Sequence, residues 1–176
     1  MKRIVIFAAV AAIVLCQACG SRNEAKYAPG IAIGSMAPDF ALPDTLGGIV
    51  TLDDFRGSYV VLDFWASWCG DCRRDIPELK QVFDKYNGTS IAGAPVEFLG
   101  ISFDHEAESW KSALRSEQFA WPQVSNLIKW KDNPVSTDFG IKWIPAMIVV
   151  APDGSVAGTA ITASRLDKVL GRLQKK

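Results

Sequence analysis

Two cysteines stand two residues apart in Trp68-Cys69-Gly70-Asp71-Cys72, and no other residues of this chain are so well placed for chemistry. The apolar run Tyr59-Val60-Val61-Leu62-Asp63-Phe64-Trp65 leads into them, and a helical pattern follows. A buried strand running into Cys-x-x-Cys at the head of a helix is the sequence form of a dithiol redox site. Unpaired backbone N–H groups and the positive end of the helix dipole favour a thiolate there. A thiolate is the species that attacks disulfides. Cys72, one turn along, is placed to displace Cys69 from a mixed disulfide. Two blander readings stay open at this point, a pair of buried thiols and two ligands of a metal site. A structural zinc site needs two further ligands, and His105 is the only histidine in the chain.

Asp63 is the second candidate. A carboxylate in the middle of an apolar strand is costly unless it is paired or protonated. Burial raises its pKa, which would let it exchange a proton near neutral pH; the alternative is a hydrogen-bonded structural aspartate. Asp71, between the cysteines, carries two opposed effects. An acid in the first helical turn complements the dipole, yet the same charge beside Cys69 disfavours the thiolate and so favours the disulfide. The expected result is a more reducing couple, with Arg73 and Arg74 offsetting part of the effect. His105, just before a helical pattern, reads as a solvated residue.

The elements that position these residues follow from periodicity. Ala37-Pro38-Asp39-Phe40 leads into a short strand, Asp44 to Gly48 is a turn, and Ile49 to Leu52 returns, which makes a hairpin. The run Tyr59 to Trp65 is too continuously apolar for a half-exposed strand, so it belongs at the centre of a sheet covered on both faces. A helix is expected from Gly70 to Tyr86, with Ile76, Leu79, Val82, Phe83 and Tyr86 on its apolar side. Val96 to Ser102 is a second buried strand, and strand–helix–strand implies parallel pairing. A second helix should start near Glu106 with Asp104 as its cap. Val124 to Asn133 is ambiguous. Ala146 to Val150 and Ser155 to Thr159 form an antiparallel pair around Pro152-Asp153-Gly154. A last helix begins near Ser164, where Leu166, Val169, Leu170 and Leu173 make the stripe that packs on a sheet. The sum is an α/β domain, a central mixed sheet flanked by helices, with an N-terminal β-hairpin extension.

The 176 residues are 49% hydrophobic and 22% charged, with zero formal net charge. That is one globular domain with a real core, and the charge balance gives no sign of a nucleic-acid partner. The N-terminus stands apart. Lys2 and Arg3 precede Ile4 to Leu15, 12 continuously apolar residues, which suits an export signal rather than a membrane span of about 20 residues. Ala18-Cys19 then resembles a bacterial lipoprotein signal, in which the cysteine is lipidated and becomes the new N-terminus. Cys16 stands where such signals usually carry Leu, and ordinary cleavage or an uncleaved anchor are the alternatives. Residues 1–19 are therefore expected to be the signal with a lipoprotein-type Cys19, 20–32 a flexible tether and 33–176 the domain. Only Cys69 and Cys72 are left for the domain, too few for a disulfide framework.

Taken together, Ala37-Pro38-Asp39-Phe40, Arg56-Gly57, Phe64 to Arg73, Pro77-Glu78-Leu79, Phe139-Gly140-Ile141, Ile144-Pro145 and Pro152-Asp153-Gly154 resemble the thioredoxin superfamily. They look most like its membrane-tethered extracytoplasmic branch, which serves cytochrome c maturation and related thiol reduction. The resemblance implies a thioredoxin-like fold in which Cys69 attacks and Cys72 resolves. It implies that Asp63 deprotonates Cys72, and that Pro145 is a cis-proline facing the dithiol, the alternative being an ordinary trans proline at a strand start. Gly70, Asp71, Ile144 and Pro145 would then contact substrate, the backbone of Ile144 pairing with a peptide like an added strand. Trp68 and Trp143 would wall the groove, or be ordinary partly buried tryptophans. Asp71 departs from the family, which most often has Pro there. The implied cofactor is none beyond the Cys69–Cys72 disulfide. The implied partners are exported protein thiols and disulfides, a membrane thiol reductant, and the membrane itself through a lipid anchor, in a periplasm-facing location. No exposed apolar heptad or edge stands out, which leaves the oligomeric state open, with a monomer as the expectation.

Two other functions compete. The N-terminal half also resembles the peroxiredoxin group (the alkyl hydroperoxide reductase and thiol-specific antioxidant proteins). Their Thr one turn before the cysteine is absent, with Ala66 and Ser67 in its place. A dithiol-based metal or haem chaperone is the other, since soft thiolates suit Cu(I), but no Met-rich or His-rich tract supports it.

Overall fold

The structure, a computed structural model, describes residues 26–175, so the export signal and Cys19 lie outside the described residues. Strand β3 (Tyr59–Trp65) is central, as its unbroken apolar run requires. It pairs in parallel with β5 (Ala94–Ser102) and antiparallel with β7 (Ala146–Val150). The sheet runs β4 (Ser90–Ile91), β5, β3, β7, β8 (Val156–Ala160), and β6 (Gln123–Val124) adds in parallel beside the far end of β5. A separate hairpin, β1 (Ala41–Pro43) and β2 (Ile49–Thr51), forms the N-terminal extension.

Among the described residues, four α-helices cover the sheet: α1 (Gly70–Tyr86), α2 (Ala107–Glu117), α3 (Pro134–Asp138) and α4 (Ala163–Leu173). Successive strand residues face opposite sides. Val60, Leu62 and Phe64 therefore join a core with Phe40, Leu52 and Trp110. Val61 joins the other core, with Leu79 and Val82 of α1 and Leu166 and Leu170 of α4. The same alternation turns Asp63 toward α1 and α4.

Three details differ from the sequence reading. β5 begins two residues early, because Ala92 (φ 50°) and Gly93 (φ 88°) make a tight turn that pairs Ser90–Ile91 with Ala94 and Pro95. Asp104 is not a helix cap: Glu106 is the N-cap of α2 and makes no side-chain cap bond. The ambiguous stretch has no regular period, and Asn133 holds it together by bonding Asn126 and the Val135 N–H. At the end of the stretch read as a tether, Gly30 N–H donates to the Gly140 carbonyl at 2.8 Å and Pro29 is buried.

Candidate active site

Cys69 and Cys72 form a disulfide at the head of α1, with Cα atoms 5.3 Å apart. Cys69 is the N-cap residue, and its Sγ accepts the Cys72 N–H at 3.0 Å. The same N–H would stabilise a Cys69 thiolate after reduction.

The loop that carries Cys69 is tied down from below. Asp104 is buried, and its carboxylate accepts from Ser67 N–H (3.0 Å), Ser67 Oγ–H (2.6 Å) and Ser102 Oγ–H (2.8 Å). Phe103 N–H donates to the Trp65 carbonyl at 2.9 Å, so β3 and β5 end in step. Cys69 N–H in turn donates to Ala66 O at 3.1 Å.

Across from the dithiol, the Ile144–Pro145 peptide bond is cis. The Ile144 carbonyl oxygen lies 3.6 Å from Cys69 Sγ, and the Ile144 side chain is buried. Trp68 is 52% exposed and stacks on Trp130, which stacks on Phe103. Trp143 is 40% exposed, with the Tyr27 ring 4.8 Å away. Both indoles therefore offer apolar surface beside the cysteines. Asp71 is exposed and paired with Arg74, while Arg73 reaches Glu117 at 3.6 Å. The Arg74 pair, one helical turn from Asp71, is the local compensation expected for that acid. A recess of about 320 Å³ opens between Asp71, Asp75, Trp143 and Pro145.

Two carboxyl groups carry shifted pKa values. Burial pushes Asp63 up from 3.8 to about 8, with the charge of Asp75 adding to the effect. Asp63 Oδ2 has no hydrogen-bond partner among the described residues. Asp75 is pushed up to about 6 by burial and by Glu78, against the lowering effect of the Ala163 N–H, which donates to its Oδ2 at 2.8 Å. Both acids thus hold or release a proton near neutral pH. Asp75 is not among the sequence candidates, because within the expected helix it stands beside Arg73 and Arg74 and does not stand out in a charged stretch. The available signal was its spacing: three after Cys72 and four before Leu79, both buried, it shares their helix face. His105 is exposed at the start of α2, 3.9 Å from Glu106, as a solvated residue would be. Among the described residues no group of three His, Cys, Asp or Glu side chains could hold a metal ion.

Residues 33–159 match the family model described as AhpC/TSA family. The chain belongs to the AhpC/TSA family. Within that family it is similar to the thiol-disulfide oxidoreductase ResA of Bacillus cereus, at 24% identity over 99% of this chain and 97% of the relative. Among solved structures it is similar to the C-terminal domain of a Bacteroides thetaiotaomicron protein described as a thiol-disulfide oxidoreductase. The TM-score is 0.71 at 28% identity, over 82% of this chain and 97% of that one. A Chlorobium tepidum protein described as the thiol:disulfide interchange protein DsbE gives a TM-score of 0.70 at 26% identity, over 82% and 99%. The fold of this AhpC/TSA member is thioredoxin-like, as the sequence resemblance implied. With a Cys-x-x-Cys disulfide at the head of α1, the protein is a thiol-disulfide oxidoreductase. The structure brings Cys69, Cys72, Trp68, Gly70, Asp71, Ile144, Pro145 and Trp143 to one end of the sheet, and Asp63 sits two residues before that end of β3, within reach of the charge of Asp75.

Proposed function

We propose that this protein is an extracytoplasmic reductant, held at a membrane by lipid on Cys19, that reduces disulfides in exported proteins, apocytochrome c among the candidates. The observation that carries the direction is the acid beside the dithiol: Asp71 between the cysteines and Asp75 one turn along, whose pKa of about 6 leaves it mostly ionised at pH 7, whereas Asp63, at about 8, is mostly protonated there and adds little charge. Negative charge near the cysteines disfavours thiolates, which favours the disulfide form and makes the dithiol a stronger donor. The Lys2-Arg3 start, the apolar run and Ala18-Cys19 support the location.

The reaction begins with the reduced pair. The Cys69 thiolate attacks one sulfur of the client disulfide, and the other client sulfur leaves as a thiolate that takes up a proton. Asp63 in its ionised form, a minority at pH 7 with a pKa of about 8, takes the Cys72 proton, and the Cys72 thiolate attacks Cys69 Sγ. The mixed disulfide breaks, the second client sulfur leaves as a thiolate that receives that proton from Asp63, and Cys69–Cys72 is oxidised. Two electrons and two protons pass to the client. A membrane thiol reductant returns them. The Ile144 backbone, Pro145 and the two exposed indoles hold an extended client segment against Cys69.

The test is the midpoint potential of the couple, measured in glutathione or dithiothreitol buffers. A value near or below roughly −250 mV is expected, and one near roughly −150 mV would make the protein an oxidant or isomerase instead. Family membership also raises the thiol-peroxidase reading. Against it, Ser67 spends its hydroxyl on Asp104 at 2.6 Å rather than offering it to a peroxide.

A further inference from the structure

A groove of about 880 Å³, lined by neither Cys69 nor Cys72, runs between α4, the end of α1 and the edge of β8. Its walls carry Lys85, Arg165, Lys168, Arg172 and Lys175 against a single carboxylate, Asp167, which Lys85 already engages at 2.6 Å. Arg165, Lys168 and Arg172 follow the helical spacing of α4 and share a side of it, and Lys175 stands just past its end. In a chain of zero formal net charge this is a local concentration of positive charge.

Two further observations fix what faces it. Ala28, from the segment that leads back toward Cys19, lines the groove itself. Cys19 precedes Ala28 by nine residues, so an extended connection keeps a lipid on Cys19 within about 30 Å of the groove. The groove also adjoins the active-site recess: Ile161 lines both, and Tyr27, next to Ala28, covers one face of Trp143.

The geometry points to a membrane-docking face: the basic groove binds the phosphate headgroups of anionic lipids in the membrane that holds the N-terminus. This rests on the anchored reading of Cys19. Attraction between basic side chains and an anionic surface acts within about one Debye length, roughly 8 Å at physiological salt, a gap that the short connection lets the groove close. Docking by this face would bring the recess beside Cys69 to the headgroup level, where a membrane-embedded dithiol could reach it. The chemistry of the groove would also suit an acidic peptide, but only the membrane is tethered to it.

The test uses the full chain, reconstituted in vesicles of zwitterionic lipid alone or with roughly a third anionic lipid. Amine labelling of Lys168 and Lys175 is read by mass spectrometry against Lys111 on α2, which packs on the other side of the sheet. At least about threefold protection of Lys168 and Lys175 is expected on anionic vesicles only, lost at high salt, with Lys111 unchanged. In the double variant K168E/R172E, Lys175 should lose its protection while insulin reduction in solution stays as before. Equal labelling on both vesicles overturns the proposal, as does protection by an acidic peptide where vesicles give none. Flotation with zwitterionic vesicles reads the anchor separately. If the chain does not float there the anchor is refuted, and the groove is then judged by flotation with anionic vesicles, whose absence refutes docking too.

Discussion

Replacing Asp63 with Asn should make the protein more stable, and increasingly so as pH rises. Asp63 is fully buried, and its pKa is raised from 3.8 to about 8. Below about pH 4 the carboxyl is neutral in both folded and unfolded chains, so it costs nothing. Between the two values the unfolded chain has released the proton and the folded one keeps it, so stability falls by up to about 1.4 kcal/mol per pH unit. Above about 8 the penalty is complete. At pH 7 the window crossed is a little over three units, which amounts to about 4 kcal/mol. Asn fills the same volume and does not titrate. Its buried amide adds a cost of about 1–3 kcal/mol if unpaired, but that cost is flat with pH. The signature is therefore the slope of the difference. Urea unfolding of the oxidised proteins at several pH values from about 4 to 8 measures it. The variant should gain on the parent by about 5 kcal/mol across that range. Asp75 titrates in both proteins and largely cancels. Parallel stability curves would refute both the burial argument and the assignment of a neutral Asp63 at pH 7. In the same variant, insulin reduction at pH 7 should fall by about a hundredfold or more, because Cys72 loses the ionised fraction of Asp63 as its proton acceptor, and the parent's rise in rate toward pH 8 should be lost with it.

Asp71→Pro removes the acid beside Cys69 and should raise the midpoint potential by about 30 mV, worth about 1.4 kcal/mol; a lower potential contradicts the electrostatic argument. Asp104→Ala leaves Ser67 N–H and two hydroxyls without their acceptor, and should cost about 2–4 kcal/mol in urea unfolding. An unchanged midpoint would mean that the loop is held elsewhere. Gly100→Ala places a Cβ 2.1 Å from Gln123 Oε1, the atom that accepts the buried Trp65 indole N–H. The loss of that bond should cost about 1–3 kcal/mol and show as a shift in Trp65 emission. A variant with parental stability would show that Gln123 is free to move aside.

The parts of this molecule that were legible in the sequence are those whose signal is local. β3 announced itself by an apolar run that only a doubly covered strand can bury, and α1 by its stripe of apolar residues. The cis Ile144–Pro145 bond was legible only through the family resemblance, because nothing in its neighbours sets the isomer. Asp75 and Asp104 were missed for a shared reason. Each owes its environment to residues distant in the chain: Ala163 for Asp75, 88 residues on, and Ser67 for Asp104, 37 residues back. A short polar side chain beside a helix start reads as a solvated cap until the partner that buries it is known.

The edges of the sheet carry a consequence for the protein as a member of a crowded population. The hairpin reaches over β6, where Asp44 bridges Val124 and Ser125 N–H donates to Pro43 O at 3.1 Å. At the other end of β5, β4 is two residues long. Those ends give a second chain little to pair with. Among the described residues, β8 is the remaining edge; Gly34 and Ser35 cover its start at Val156, and the end left open, at Thr159 and Ala160, borders the cations of α4. Two copies meeting there would press like charges together, so the groove doubles as a guard against fibre-like self-pairing, one that concentrated salt would weaken.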